Sequence, residues 1–305
     1  MSPPAAQCPI CGSASCRALW RGREDAIAAE DVRISDSSYG RALPFVQCRE
    51  CGHAFSWPAP GPEELVGAYR EMSDDLYAEE EQCRARALMR AFHLATRDAE
   101  APGRVLDVGA ATGILTRAAR AAGWQVIGVE PSAWAVREAR ECHGTELFEG
   151  TLEELDADTR HFDVVTLIDV IEHVTDPREL ARQARARLRP GGRLLVVTPD
   201  VTSMPARAMG RRWWHVRTAH VCLFSRRSLL ALLEQEGFEV KTVTRYAWTF
   251  SLEYWISRLE RVPPVRWLLG GLRATGAGRR LLRWPLTIDF RDSLAVVAER
   301  GEGRA

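Results

Sequence analysis

Four groups of residues have types and spacings that could do chemistry. Two Cys-x-x-Cys knuckles come first: "CPIC" carries Cys8 and Cys11, "CREC" carries Cys48 and Cys51, and each is followed by glycine. Two residues between thiolates let both sulfurs face one ion, and the glycine relieves the tight turn. Four thiolates close a tetrahedral zinc site with no open position, so its expected role is structural, with Cys16 and His53 as weaker substitute ligands. The second group is "RVLDVGAATGIL", residues 104 to 115, where Asp107 ends an apolar run and Gly109 and Gly113 turn the chain toward a helix. A carboxylate there repels a pyrophosphate but receives a cationic amine. The third is Glu130, an acid able to accept both hydroxyls of an adenosine ribose, with Thr151 and Leu152 placed to flank an adenine. The fourth is His173 and His220, candidates for removing a proton from an acceptor. His215, beside Trp213 and Trp214, is a weaker candidate in a cluster suited to walling a pocket.

These residues need a scaffold, and the pattern around them supplies one. Strand-like runs at 104–108, 125–129, 146–150, 162–168, 193–198, 239–245 and 294–299 alternate with helical runs near 113–122, 132–142, 177–189 and 226–236. Short apolar strands separated by amphipathic helices argue for a parallel sheet covered on both faces. Ligands of such sheets bind beyond the carboxyl ends of the strands, where Asp107, Glu130 and His173 all fall.

The chain has 305 residues, enough for one α/β core and a small extra domain. Formal net charge is zero, so no global field draws in nucleic acid or anionic lipid. "MSPPAAQCPI" lacks the basic start and apolar core of a signal peptide, and no run reaches membrane-span length, so a cytoplasmic protein is expected. Eight cysteines in such a chain read as metal chemistry rather than a disulfide framework. The expected organisation is a zinc-ribbon-like domain over 1–60, a helical linker or lid over 61–100, and an α/β domain over 101–305 with a helical cap at 246–290. In that cap, residues 256 to 284 hold seven arginines and one glutamate, interleaved with tryptophan. The cap could cover an acceptor pocket, lie on a membrane surface as a peripheral contact, or simply pack on the sheet.

"VLDVGAATG", "GVEPS", "FDVVTLIDVIEHV", "LRPGGRLLVVTP" and "HVCLFSRRSLLALLEQEGF", in this order, resemble class I S-adenosylmethionine-dependent methyltransferases over roughly residues 100 to 245. The double knuckle resembles a zinc-binding segment fused to some members. The resemblance implies a Rossmann-like seven-stranded sheet with the last strand antiparallel and helices on both faces. It implies that Gly109 and Gly113 border the methionine part of the cofactor, that Asp107 lies near its amine, and that Glu130 holds the ribose. Thr151 and Leu152 would face the adenine, and Ile168 and Asp169 would close the pocket. Ala111 replaces the middle glycine of the family loop, which is tolerable if its φ stays negative. "DVIEH" is similar to the Glu-x-x-Glu-His of ubiquinone-biosynthesis O-methyltransferases, which implies a Mg²⁺ site on Asp169, Glu172 and His173. These three would share one face of a helical turn. The expected acceptor is a small molecule such as a sugar nucleotide, quinone or secondary-metabolite intermediate. An RNA methyltransferase using the zinc ribbon and a non-catalytic cofactor-binding module are the alternatives. Residues 1 to 60 are not strongly basic, which makes nucleic acid the weaker partner.

Overall fold

The computed structural model describes residues 6–23, 25–33, 40–74, 80–257 and 263–301. Arg258, Glu260 and Arg261 of the cap lie outside the described residues. The chain opens with three short strands, β1 (Cys16–Trp20), β2 (Phe45–Cys48) and β3 (Ala54–Ser56), and two helices, α1 (Pro62–Glu71) and α2 (Glu81–Thr96). The α/β part follows as β4 (Arg104–Val108), α3 (Ile114–Ala121), β5 (Gln125–Glu130), α4 (Ala133–His143), β6 (Phe148–Glu149) and β7 (Phe162–Ile168). It continues with α5 (Pro177–Arg187), β8 (Leu188–Pro199), α6 (Met204–Met209), β9 (Cys222–Leu223), α7 (Arg226–Gln235) and β10 (Phe238–Arg245). A cap of β11 (Trp248–Ser251), α8 (Leu252–Ser257), α9 (Pro263–Ala274), α10 (Gly276–Leu282) and β12 (Pro285–Ile288) precedes the last strand, β13 (Ser293–Arg300).

Seven strands form one sheet in the order β10-β13-β8-β7-β4-β5-β6. β13 runs antiparallel between β8 and β10, and the strands from β8 to β6 are parallel. The strand period of two divides the core. Val105, Val164, Leu195, Val197, Ala295 and Val297 pack with α2 and α3 on one face. Leu106, Val165, Leu194, Val196, Val296 and Ala298 pack with α5 and α7 on the other. Both faces are therefore dry, which is why these strands read as unbroken apolar runs.

Two strands depart from the expected bounds. The third parallel strand is only Phe148–Glu149, because it lies at the sheet edge and pairs with Val129 and Glu130 alone. β8 starts at Leu188 rather than at 193. Leu188 pairs with Phe162 and Arg193 with Val164, so the intervening Pro190-Gly191-Gly192 bulges from the ladder. The cap is not wholly helical: β11 and β12 form a two-stranded antiparallel pair beside its three helices.

The knuckle strands do not stand alone. β1, β2 and β3 form a four-stranded sheet whose last member is β9, paired through Ala54↔Leu223 and Phe55↔Cys222. Their apolar side chains join the same core as α5 and α7. Ser225 Oγ donates to the Cys51 carbonyl at 2.9 Å, so the cap of α7 also holds the second knuckle. Among the described residues, no helix is long and apolar enough to cross a membrane.

Candidate functional site

One cavity of about 1540 Å³ opens at the carboxyl ends of β4, β5 and β7. It exceeds the roughly 300–1,000 Å³ of a single small-ligand pocket, so it has room for two reactants. Asp107, Gly109, Glu130, Thr151, Leu152, Ile168, Asp169, His173 and His220 all line it. Gly113 is not among the lining residues: it caps α3 in the left-handed region at φ +73°, and its backbone turn is what the structure uses.

The β4 carboxylate is held firmly. The Thr116 and Thr166 hydroxyls each donate to Asp107 at 2.8 Å, one to each oxygen. Burial still raises its pKa. Glu130 accepts the backbone N–H of Ala111 at 2.8 Å and of Ser132 at 2.9 Å. Burial pushes its pKa up to about 7, against those two hydrogen bonds. Asp169 rises to about 7 for the same reason, with Arg84 and Arg217 pulling the other way. Two loop features explain how the backbone reaches the cavity. A Cβ on Gly109 (φ +69°) would meet Val170 Cγ2 at 2.5 Å, so only glycine fits. Ala111 sits at φ +48°, which corrects the expectation of a negative φ. Its methyl is carried in the strained left-handed region, fixed there by the hydrogen bond to Glu130.

Three histidines meet in the same cavity wall. The His173 and His220 rings pack edge to face with centroids 4.6 Å apart, and His215 stacks on His220 at 5.8 Å. His173 Nδ1 lies 3.0 Å from the Ala219 carbonyl and 2.5 Å from the Tyr69 hydroxyl. A carbonyl only accepts, so this arrangement places the proton on Nδ1 and leaves the other ring nitrogen as an acceptor. Burial drives the His173 and His215 pKa values down to about 3, helped by the Arg217 charge, and lowers His220 well below its usual value. Burial thus favours the neutral form of all three rings.

The implied Mg²⁺ triad is not the group whose ligand atoms converge. Asp169 adopts φ +53° before the short turn Ile171–His173, so it does not share a helical face with Glu172 and His173. The ligand atoms that do converge, within 4.8 Å of one another, belong to Glu172, His173 and His220. Glu172 Oε2 accepts from Thr198 at 3.0 Å, and its buried Oε1 has no hydrogen-bond partner. One carboxylate and two imidazoles do not suit Mg²⁺, which is bound by oxygen.

The knuckle cysteines fit a metal well. All four Sγ atoms of Cys8, Cys11, Cys48 and Cys51 lie within 4.8 Å of one another, with Cys8 and Cys51 at 3.6 Å and Cys11 and Cys48 at 3.5 Å. A tetrahedron with zinc–sulfur bonds of about 2.3 Å has edges of about 3.8 Å. Cys16 bonds instead to the Ser13 carbonyl, and His53 is buried against Phe55 and Phe224, so neither belongs to the set.

Several lining residues carry no sequence motif. Tyr69 comes from α1 and is 104 positions from His173. An aromatic wall comes from the cap: Phe250 stacks on Tyr254 at 4.1 Å, and Phe290 packs against Trp255 at 5.6 Å and Trp214 at 5.0 Å. The tryptophan-rich composition of 246–290 and the "WWH" cluster were the available signals. Trp213 itself is fully buried and donates to Asp292 at 3.0 Å, behind the wall.

Residues 77–243 match the family model described as a methyltransferase domain. Over 104 residues the chain is 35% identical to a ubiquinone biosynthesis O-methyltransferase of Marinobacter nauticus, covering 31% of this chain and 43% of that one. It is 37% identical over 101 residues to the protein of the same name from Bradyrhizobium sp., covering 31% and 39%. The match thus spans less than half the length of these relatives. Among solved structures, a Haloferax volcanii complex of a methyltransferase with its activator superposes with a TM-score of 0.50 at 16% identity, over 76% of this chain and 97% of that one. That likeness concerns the fold.

Proposed function

The chain belongs to the methyltransferase domain family, and from that premise we propose that it transfers a methyl group from S-adenosylmethionine to a hydroxyl of an aromatic or quinone-type small molecule. The observation that carries this reading is the single cavity in which Asp107, Gly109 and Glu130 share a surface with the aromatic wall of the cap. Bound there, the donor supplies an electrophilic methyl carbon on a sulfonium. Asp107, buttressed by two threonines, receives its amine. Glu130 accepts ribose hydroxyls on the lone pairs left by Ala111 and Ser132. Thr151 and Leu152 flank the adenine, and Ile168 and Asp169 close the pocket.

On the acceptor side, Trp248, Phe250, Tyr254 and Trp255 bind a flat apolar body. His173, its proton fixed on Nδ1, takes the proton that the acceptor hydroxyl must lose as the carbon–oxygen bond forms and the carbon–sulfur bond breaks. His220 packs against that ring and steadies it. Positioning supplies most of the acceleration, because the donor is intrinsically reactive. The four knuckle cysteines hold a structural zinc in this reading. Calorimetric titration with S-adenosylmethionine, with NADH as control, tests it. Saturable binding lost in Asp107→Ala and Glu130→Ala is expected. Absence of binding to zinc-loaded protein would leave a non-catalytic module, and a salt-dependent RNA shift without small-molecule turnover would favour an RNA substrate.

A further inference from the structure

Residues 263 to 288 contain five arginines and no acidic residue, in a chain whose formal net charge is zero. The same segment gathers exposed apolar surface. Six large apolar side chains are exposed among the described residues, and four of them, Trp267, Leu281, Trp284 and Leu286, lie here. Trp267 is 75% exposed and Trp284 is 67% exposed. Isolated exposed leucines are ordinary, but two tryptophans turned to water within one small cap are not.

The fold explains why they face outward. Leu269 and Leu282 are fully buried where α9 and α10 pack on each other. Trp267 is two residues before Leu269, about 200° around the helix, so it points away from that packing. Arg279, Arg280 and Arg283 are exposed beside Leu281 and Trp284. The cap also borders the cavity: Phe250 of β11 lines it, and Leu286, its cross-strand partner on β12, lies on the same face of that ribbon.

We propose that the outer side of this cap docks on the headgroup layer of an anionic phospholipid bilayer. Trp267, Leu281 and Trp284 enter the interface, where amphipathic rings are favoured, and Arg279, Arg280 and Arg283 pair with lipid phosphates. The charge argues for this occupant: Arg273 is paired with Glu253, and the exposed Arg279, Arg280 and Arg283 beside Trp284 complement an anionic, partly apolar layer. This docking does not depend on the catalytic reading.

The test is flotation of the full, zinc-loaded chain with phosphatidylcholine vesicles, with and without phosphatidylglycerol, at low and high salt. Binding to the anionic vesicles at low salt, weakened by salt, is expected. Arg280→Glu combined with Arg283→Glu should weaken partitioning at least 25-fold, at about fivefold per arginine lost. Trp267→Ser combined with Trp284→Ser should weaken it without changing the salt dependence. Unchanged S-adenosylmethionine affinity or thermal midpoint reports intact folding of both variants. Recovery of the wild type in the vesicle-free fraction at low salt overturns the proposal, as does equal binding by both variants. A wild-type dimer by light scattering that the tryptophan variant dissociates would make the surface a self-contact and also overturn it.

Discussion

The backbone N–H of Ala111 donates to the Glu130 carboxylate at 2.8 Å, while Ala111 itself is held at φ +48°. The hydrogen bond and the strain are two sides of one arrangement. A buried carboxylate lining the cavity is anchored by a loop that turns left-handed to reach it. Ala111→Gly removes a left-handed cost of about 1–2 kcal/mol and adds up to about 1 kcal/mol of chain entropy to be lost on folding, so stability should hold level or rise by up to about 2 kcal/mol. Ala111→Val places a β-branched side chain where it does not belong and should cost ~2 kcal/mol or more, with loss of donor affinity. Thermal unfolding and calorimetry of the two variants check this; equal behaviour would refute the strain argument.

Donor affinity should depend on pH in a defined direction. Burial raises Glu130 to about 7 from 4.5. The folded protein therefore keeps a proton that the unfolded chain has released, and the associated stability, full below pH 4.5, is lost as pH rises through 7. Donor binding prefers the ionised carboxylate, so affinity should rise from pH 6 to pH 8 and then level off. Calorimetry near pH 6.5 in two buffers of different ionisation enthalpy should report proton release, and identical apparent enthalpies would contradict it.

His173 and Tyr69 make a separable prediction. His173→Gln should lower kcat about 10²-fold or more and leave donor affinity intact. Tyr69→Phe removes one hydrogen bond and should cost roughly tenfold in kcat. Because burial holds His173 near 3, the pH–rate profile should show no limb near 6.5. A limb there that vanishes in His173→Gln would show that the ring titrates in the ordinary range.

Added Mg²⁺ should not change turnover of the zinc-loaded enzyme, since the ligand atoms that converge are those of Glu172, His173 and His220, a set with two imidazoles. Activation by Mg²⁺ that is abolished in Asp169→Asn would restore the triad that the backbone disfavours.

Loss of zinc should reach the histidine wall. Ser56 N–H donates to the Val221 carbonyl, and Val221 N–H donates to the Glu172 carbonyl, both at 2.9 Å. The knuckle sheet is thus laced to the turn that carries His173. Cys48→Ala or strong chelation should reduce kcat and thermal stability while donor affinity falls less than tenfold. Donor binding and turnover lost in parallel would point to global unfolding instead.

The parallel sheet and its ligand-end loops were legible because strands buried on both faces read as apolar runs and because their turns need glycine. Asp107, Glu130 and His173 follow from that register. What escaped has physical causes. β9 is two residues long and gains its place only by pairing with β3, a contact across more than 160 positions. Asp169 departs from the helical turn because its φ is positive, which no spacing reveals. Tyr69 meets His173 only once α1 packs over the cavity.

The cavity joins two stretches of chain with different constraints. Asp107, Gly109, Glu130, Thr151, Leu152 and Asp169 lie within the family-matched residues 77–243, whereas Tyr69, Trp248, Phe250, Tyr254, Trp255 and Phe290 lie outside them. The cap is nonetheless tied to that scaffold: Tyr246 and Trp248 pack with Val105, Leu115 and Ala119, and Glu80 holds Ser251. Replacing the aromatic side chains of 246–290 should therefore alter which flat molecule the cavity admits while the contacts to Asp107 and Glu130 stay as they are.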